Sequence, residues 1–209
     1  REYRCYYVQV YDSLHPDTTA SSNTVCDSIE APPPPLHNYL RTTTVIFQSS
    51  WINVVGYVDS LSGVFSYEFQ RAVDTGKFST VYTIKASGHT DSINYIDQNA
   101  SPTTHGYRYQ IISLNSCNKP MDTTNIGQPM FLTATGQPDR INVLNWNDYM
   151  DWFRGPKYYI IYRSEDGVNY VKIDSLQYNN LAKFVVYDDD VSKVTTRQGF
   201  FYYYIKAVE

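Results

Sequence analysis

Short runs of alternating apolar and polar residues dominate the chain, and helical periodicity is hard to find. Such alternation occurs at Tyr6–Val10, Tyr107–Ile111 and Tyr203–Ala207. Tyr, Val, Ile and Thr supply most of these positions and favour a pleated strand with one buried face. Turn formers such as the Asp166-Gly167 pair separate the runs. The pattern predicts an all-β chain.

The strand pattern also repeats along the chain. Pairs of similar residues at an offset of 92 are Tyr67 and Tyr159, Arg71 and Arg163, Asp74 and Asp166, Phe78 and Tyr170, Val81 and Ile173, Tyr95 and Tyr187, and Asp97 and Asp189. Tyr109 matches Tyr203 at an offset of 94, and Trp51 is paired with Trp146 at an offset of 95. A drift of one to three residues indicates one repeated unit with small loop differences.

A partial copy of this unit lies at the N-terminus, where Tyr6–Ser13 aligns with Tyr109–Ser116. We therefore interpret residues 1–31 as the last two strands of a preceding repeat and residues 32–132 as a complete repeat. Residues 133–209 form a third copy that stops before its last strand. The expectation is a segment of a longer array.

The four prolines Pro32–Pro35 follow the first of these boundaries. Such a run favours a polyproline II spacer, which extends by about 3.1 Å per residue. The alternative is a ligand for a module that reads polyproline helices.

Composition excludes several classes of protein. Charged residues make up 18% of the chain and the formal net charge is -4, without a run of Lys or Arg, so nucleic acid is not an expected partner. The sequence has no apolar run long enough for a membrane-spanning helix. Tyrosine is very frequent, with 21 residues among 209. Its excess fits either a β-sheet framework or an aromatic binding surface.

The repeat length, the early Trp and the late Tyr-rich strand resemble fibronectin type III domains, which are two-sheet β-sandwiches. The runs Tyr159–Tyr170, Tyr187–Asp189 and Phe201–Ile205 are further similar to repeats of gliding-motility-associated surface proteins of Bacteroidetes, which are exported by the type IX secretion system. The resemblance implies tandem sandwiches at the bacterial cell surface.

On this resemblance, Trp51 and Trp146 are core residues of the second strand of each sandwich. Tyr109 and Tyr203 are framework residues, whereas the alternative makes the tyrosines a platform for sugars or bases. The implied function is that of noncatalytic spacer repeats in an adhesin or gliding-motility-associated protein. Its expected partners are neighbouring repeats, other surface or secretion-system proteins, or glycans.

Two cysteines fall opposite each other in the aligned N-terminal strands. Antiparallel pairing around a turn near His15 places Cys5 close to Cys26. An extracellular location permits the disulfide, and two unpaired thiols are the alternative. Cys117 has no counterpart in the alignment and is expected to be free.

Asp followed by Ser or Thr and then an apolar residue or Thr occurs seven times. The hydroxyl residues of these motifs are Ser13, Thr18, Ser28, Ser60, Ser92, Thr123 and Ser175. The motif resembles the acceptor pattern for O-glycosylation in the same bacterial group, and composition alone predicts about one occurrence. An Asp-Ser pair that leads from a turn into a strand is the alternative explanation.

No motif of a catalytic, cofactor or metal site is recognisable. The chain has no Gly-x-Ser-x-Gly elbow, no phosphate-binding Gly loop and no paired His/Cys spacing for zinc, so neither an enzyme nor a cofactor is expected. One aromatic cluster falls outside the repeat and is a candidate ligand surface, formed by Tyr149, Trp152, Phe153 and Arg154. It keeps open a carbohydrate-binding module or an accessory domain of a secreted hydrolase.

Overall fold

The computed structural model describes residues 2–29, 33–47, 49–86, 91–178, 183–194 and 199–209. All regular elements in these ranges are β-strands. The chain divides into two compact units, Arg1–Pro33 and Pro34–Glu209. Pro32 lies outside the described residues, so the predicted polyproline spacer is described only in part. Within the described ranges, no helix has the length and apolar character needed to cross a membrane.

The first unit is a two-part antiparallel hairpin, called here the N-terminal hairpin. Strand β1 (Glu2–Tyr6) pairs with β4 (Val25–Ile29), and β2 (Gln9–Tyr11) pairs with β3 (Thr19–Ser21). Cys5 lies directly opposite Cys26, and the two form a disulfide with their Cα atoms 4.0 Å apart. The predicted disulfide is confirmed.

The N-terminal hairpin buries little apolar surface within its own unit. Tyr6, Tyr7 and Tyr11 are 60–74% exposed, and Val10 is 61% exposed. Two strands without a packed face are marginally stable in water. A disulfide that closes a loop of this size stabilises the folded state by about 3 kcal/mol in the chain-entropy description. The covalent bond therefore replaces part of the stabilisation that a core would supply.

The second unit begins with a seven-stranded sandwich, the first sandwich. Its strands are β5 (Asn38–Ile46), β6 (Trp51–Val58), β7 (Ser66–Val73), β8 (Ser79–Lys85), β9 (Ser92–Asp97), β10 (Tyr107–Leu114) and β11 (Pro120–Thr123). One sheet has the order β5-β6-β9 and the other β11-β10-β7-β8. Alternate strand residues fill the space between the sheets, among them Ile52, Val54, Phe69 and Ile111, which are fully buried.

The remaining residues form a six-stranded copy, the second sandwich. Its strands are β12 (Leu132–Gly136), β13 (Ile141–Asn147), β14 (Tyr158–Ser164), β15 (Val171–Gln177), β16 (Phe184–Asp190) and β17 (Tyr202–Val208). The sheets have the orders β12-β13-β16 and β15-β14-β17. Each strand corresponds in order and pairing to one of the first sandwich, with no described counterpart of β11. This arrangement confirms the predicted all-β, fibronectin type III-like fold, whereas the predicted boundaries near residues 32 and 132 stay predictions.

A buried carboxylate joins the two sheets of the first sandwich. Asp97 ends β9 in one sheet, is 0% exposed, and accepts hydrogen bonds from Arg71 Nη1 at 2.8 Å and the Tyr109 hydroxyl at 2.9 Å. Arg71 and Tyr109 are direct partners on β7 and β10 in the opposite sheet. The guanidinium also lies 5.6 Å from the centroid of the Tyr107 ring. These contacts constitute an inter-sheet bridge.

The second sandwich repeats the inter-sheet bridge with the matching residues. Arg163 Nη1 lies 2.8 and 2.9 Å from the two oxygens of Asp189, and the Tyr203 hydroxyl donates to Asp189 at 2.8 Å. The Phe201 ring lies 5.6 Å from the Arg163 guanidinium, as Tyr107 does in the first sandwich. The sequence repeat at these positions therefore preserves a polar bridge as well as an apolar core.

The expectation that Trp51 is a core residue is wrong. Trp51 is 39% exposed at the start of β6, whereas Trp146 is fully buried. Strand pairing sets the true correspondence, because Gly56 lies opposite Ile93 just as Trp146 lies opposite Val185. A Cβ atom at Gly56 would lie 2.5 Å from Ile111 Cδ1, so that side chain already occupies the space above the glycine. The same position of the core is therefore filled by Ile111 above Gly56 in the first sandwich and by Trp146 in the second.

Replacing Tyr109 with Phe tests the inter-sheet bridge. The variant Tyr109→Phe keeps the ring but removes one of the donors to the buried Asp97 carboxylate. A hydrogen bond to a charged group contributes about 1.5–3 kcal/mol, so we expect the free energy of unfolding to fall by about that amount in urea denaturation. Tyr57→Phe, at a ring 38% exposed, is the control and should change stability little. Equal effects of the two variants would contradict the role of the bridge.

Candidate functional site

The candidate ligand surface lies where the two sandwiches meet. Tyr149 is buried at 3% exposure, and its ring packs edge-on against Trp152 with centroids 4.7 Å apart. Trp152 is half-buried against the core of the second sandwich. Tyr149 and Trp152 therefore pack at the junction, and the ligand surface that the sequence predicts at these residues stays a prediction. Phe153 and Arg154 are exposed, and their role as ligand contacts stays a prediction.

Asp151, in the same segment, fastens the second sandwich to β5 of the first. Its Oδ2 accepts hydrogen bonds from the Thr43 backbone N–H at 2.6 Å and from the Thr43 hydroxyl at 2.5 Å. Its Oδ1 accepts from the Gln128 backbone N–H at 2.9 Å. Asp151 and Thr43 are both buried, so water cannot readily replace these donors. We call Asp151, Thr43 and Gln128 the junction clamp.

The junction clamp depends on a close backbone approach at Gly127. A Cβ atom there would lie 2.6 Å from Thr43 Cγ2, 2.9 Å from Leu40 Cδ1 and 3.2 Å from Asp151 Oδ2. Gly127 also exchanges two backbone hydrogen bonds with Tyr109, of 2.8 and 2.9 Å. Only a residue without a side chain fits between β10, β5 and the clamp without displacing them.

Burial governs the protonation of the groups at the junction clamp. It raises the pKa of Asp151 above its ordinary value of 3.8, although the donors on Thr43 and Gln128 act in the opposite direction. Burial also raises the pKa of Tyr149, and the nearby Asp151 carboxylate adds to that effect. The Tyr149 hydroxyl therefore stays protonated at neutral pH. It has no hydrogen-bond partner of normal geometry among the described residues.

A second contact between the sandwiches is formed by Arg41 of β5. Its guanidinium makes an ion pair with Glu209 and lies 5.8 Å from the centroid of the Trp152 ring. Trp152 is thus covered on one side by an arginine of the other sandwich. The aromatic excess of this segment contributes to the contact between domains.

A third contact comes from the turn after β5. The Phe47 ring lies 4.9 Å from Tyr170 and 4.7 Å from Tyr204, measured between ring centroids. Tyr204 in turn stacks on Tyr162 at 4.4 Å with nearly parallel planes. Phe47 is half exposed, so it covers the edge of this aromatic group without entering a core.

Residues of both sandwiches line a cleft of about 440 Å³, called here the junction cleft. Its lining includes Thr43–Val45 of β5 and Tyr202–Ile205 of β17, together with Phe47, Tyr149 and Tyr170. None of its lining residues is charged. Its volume falls within the range of about 300–1,000 Å³ that is typical of ligand pockets, and junctions between domains are common places for them. We regard the junction cleft as the candidate functional site.

The other predicted chemistry lies apart from the junction cleft. Cys117 is a free, exposed thiol in the turn before β11. Within the described ranges there is no group of three or more His, Cys, Asp or Glu residues that could hold a metal ion. Asp189, in the Asp188–Asp190 run, accepts from Arg163 in the inter-sheet bridge, and Asp190 accepts from the Ser192 backbone.

The candidate glycosylation sites are dispersed and differ in exposure. The side chains of Ser13, Thr18, Ser92, Thr123 and Ser175 are exposed. Ser60 is half-buried, and its hydroxyl donates to Asp91 at 2.6 Å. The Ser28 side chain lies outside the described residues. Asp12 and Asp59 each accept a bond from the backbone two residues later, so a turn explains the Asp at these two motifs.

Sequence reasoning did not find the junction clamp. Thr43 and Asp151 are 108 residues apart, and neither belongs to a recognisable motif. One signal was present, since the segment from 149 to 153 has no counterpart in the first repeat. That signal identified the position but not its role in joining the domains.

No model of a known protein family matches the chain, and no curated protein matches it. Among solved structures, it is similar to the FN1–FN3 domains of chicken CNTN1, with 15% sequence identity and a TM-score of 0.31. The match covers 77% of this chain and 57% of that chain. The fold assignment rests on strand order and sheet pairing rather than on this overlap.

The pH dependence of stability should reveal the buried Asp151. The pKa of Asp151 is raised in the folded protein. Its contribution to the free energy of unfolding is therefore fully present below its pKa in the unfolded chain, near 3.8, and is lost as pH rises through its pKa in the folded protein. We expect the stability difference between the native protein and Asp151→Asn to shrink as pH rises. Urea denaturation between about pH 3.5 and 7 measures it. The titration of other carboxylates affects both proteins equally and cancels when their stabilities are subtracted. A stability difference that grows as pH rises would contradict the prediction.

Proposed function

We propose that the chain is a noncatalytic spacer that holds two sandwiches in one fixed arrangement and presents a region elsewhere in its parent protein. The observation that carries this proposal is the junction clamp, in which one buried carboxylate accepts three hydrogen bonds from the neighbouring sandwich and the segment between them. A hydrogen bond to a charged group contributes about 1.5–3 kcal/mol, so the loss of these three bonds would weaken the contact between the sandwiches. A hinge would need a wetter and less constrained contact.

The finer proposal places these repeats in a secreted bacterial cell-surface protein, either an adhesin or a gliding-motility-associated protein. The disulfide between Cys5 and Cys26 supports an oxidising, extracellular location. The Bacteroidetes and type IX secretion assignment depends on the sequence resemblance of the Tyr-rich strands. Neighbouring repeats of the same chain and other surface proteins are the partners that this function implies.

The two alternatives receive less support from the described residues. The hypothesis of a carbohydrate-binding module depends on Trp152, which is half-buried beneath Arg41 at the junction. An accessory domain of a secreted hydrolase needs a catalytic domain outside residues 1–209. No observation on this chain favours either alternative over the spacer.

A distance measurement between the two sandwiches tests the spacer. Cys117 is exposed in the first sandwich, and Lys193→Cys adds an exposed thiol in the second, so both accept spin labels while Cys5 and Cys26 remain oxidised. Double electron–electron resonance should give one narrow distance distribution. Asp151→Ala should broaden it, because the junction clamp loses all three bonds.

The matched control for this measurement is Asp139→Ala, which removes an exposed carboxylate outside the junction. It should leave the distribution unchanged. A broad distribution in the native protein would overturn the fixed arrangement that the spacer requires.

O-glycosylation is a separate proposal that mass spectrometry can test on material from the native host. Hexose additions are expected at the exposed residues Ser13, Thr18, Ser92, Thr123 and Ser175. Ser60 should be unmodified, since its hydroxyl is half-buried and bonded to Asp91. Protein from an ordinary expression host is the control. An unmodified intact mass in the native material would rule out the proposal.

A further inference from the structure

The two outer faces of the first sandwich differ in charge. On the sheet β11-β10-β7-β8, Phe69 and Tyr109 face the core, so their strand neighbours Glu68 and Arg108 face outward. On the sheet β5-β6-β9, Val54 faces the core, and the alternate residues of all three strands face outward. None of these outward residues is charged; they are Tyr39, Thr42, Thr44 and Ile46 of β5, Trp51, Asn53, Val55 and Tyr57 of β6, and Ser92, Asn94 and Ile96 of β9. We call this surface the neutral face.

Three aromatic rings lie on the neutral face. Trp51, Tyr57 and Tyr39 are each 38–41% exposed. Tyr39 lies directly opposite Tyr57 on the neighbouring strand, and the two rings meet edge to face with centroids 5.6 Å apart. Trp51 and Tyr57 lie at opposite ends of β6, which places them about 20 Å apart along a straight row at about 3.3 Å per residue.

Uncharged polar side chains lie between these rings. Asn53 of β6 pairs with Thr44 of β5, and Asn94 of β9 pairs with Val55 one row further along. Thr44 and Asn94 are exposed, and Asn53 is half-buried. Amide and hydroxyl groups both donate and accept hydrogen bonds without carrying charge. The neutral face thus combines rings at its two ends with neutral hydrogen-bonding groups between them.

The sandwich fold does not itself require the rings at both ends of β6. The strand pairing that aligns Gly56 with Trp146 also aligns Trp51 with Ile141 and Tyr57 with Asn147. The matching face of the second sandwich is also charged, since Asp188 occupies the position of Ile96. The row from Trp51 to Tyr57 and the absence of charge are therefore properties of one sandwich.

The size of the neutral face limits what it can bind. Three strands about 4.8 Å apart and a row of about 20 Å give an area on the order of 300 Å². Each partner of a stable protein–protein pair buries about 800 Å². On one side, β5 is occupied by the second sandwich, where Arg41 pairs with Glu209. The neutral face is thus too small for a stable contact with a folded protein, but it accommodates a narrow chain that lies along β6.

We propose that the neutral face binds an extended, neutral, β-linked glycan, whose sugar rings stack on Trp51 and Tyr57. The apolar face of a sugar ring packs on an aromatic ring, and its hydroxyls can bond to Asn53, Asn94 and Thr44. A charged glycan would lose water without gaining an opposite charge. A β-linked chain is straight, as the row along β6 is. This binding activity goes beyond the spacer function and adds to it, and it does not involve Trp152.

Titration of the full chain with cellohexaose and with chitohexaose, followed by NMR, tests the proposal. We expect the signals of the Trp51 indole N–H and of the Asn53 and Asn94 side-chain amides to shift and saturate, with a dissociation constant between about 10 μM and 1 mM for at least one of the two probes. Absence of saturable shifts at Trp51 with both probes below about 5 mM would overturn the proposal.

Maltohexaose, a neutral chain of α-linked sugars that curves, tests the extended shape of the ligand. It offers the same hydroxyls but cannot stack on both ends of a straight row, so it should bind about fivefold more weakly or worse. Tighter binding of maltohexaose than of both β-linked probes would contradict the proposed glycan.

A matched set of variants locates the binding. Trp51→Ala and Tyr57→Ala should each weaken it by about tenfold or more, because a buried aromatic contact is lost. Trp51→Phe keeps a ring and should bind with an affinity between those of the native protein and Trp51→Ala. Phe153→Ala removes a fully exposed ring outside the neutral face and should leave the affinity within about twofold. Loss of binding in Phe153→Ala, with native affinity in Trp51→Ala, would overturn the proposed location.

Sedimentation equilibrium distinguishes a glycan from a second copy of the chain. Self-association that Trp51→Ala abolishes, without saturable binding of either β-linked probe, would overturn the proposal in favour of a dimer. The spacer is tested separately, since Trp51→Ala leaves the junction clamp intact and should not change the distance distribution between the sandwiches.

Discussion

The inter-sheet bridge is the interaction on which both sandwiches depend. A carboxylate buried as fully as Asp97 is tolerated only if charged or hydrogen-bonding partners compensate for lost water. Arg71 and Tyr109 provide that compensation from the opposite sheet, so the requirement fixes how the two sheets align. Because burial raises the pKa of Tyr109 and of Tyr203, both hydroxyls remain protonated and available as donors. Apolar side chains can slide past one another, whereas a buried ion pair with fixed geometry cannot.

Much of the fold could be predicted because it follows from local patterns. Alternation identified the strands, and the recurrence of Arg71 and Asp97 at an offset of 92, with Tyr109 at an offset of 94, identified the repeat. The recurrence of an acidic and a basic residue was itself a signal for a bridge between sheets, since both lie in strands that alternate inward and outward. The prediction that Trp51 is a core residue was wrong for a physical reason. Matching identical residues ignored the strand register, and register decides which side chains enter a core.

The junction could not be predicted in the same way. Its clamp connects Thr43 and Asp151, which belong to different sandwiches and to no periodic pattern. The requirement for glycine at position 127 arises only when β10, β5 and the clamp are assembled. A contact between domains needs no repeated signal, because it is made once, by residues that the repeat leaves free to vary. The aromatic segment near Tyr149 departed from the repeat for this reason.

The two copies therefore share what stabilises a sandwich and differ where they meet. The aromatic segment of the second sandwich is an example, since the Arg41 guanidinium lies 5.8 Å from the centroid of the Trp152 ring and pairs with Glu209. Asp151 adds three buried hydrogen bonds at the same contact. The residues that recur therefore set the alignment of the two sheets within each sandwich, whereas the residues that differ between the copies set the spacing of the two sandwiches.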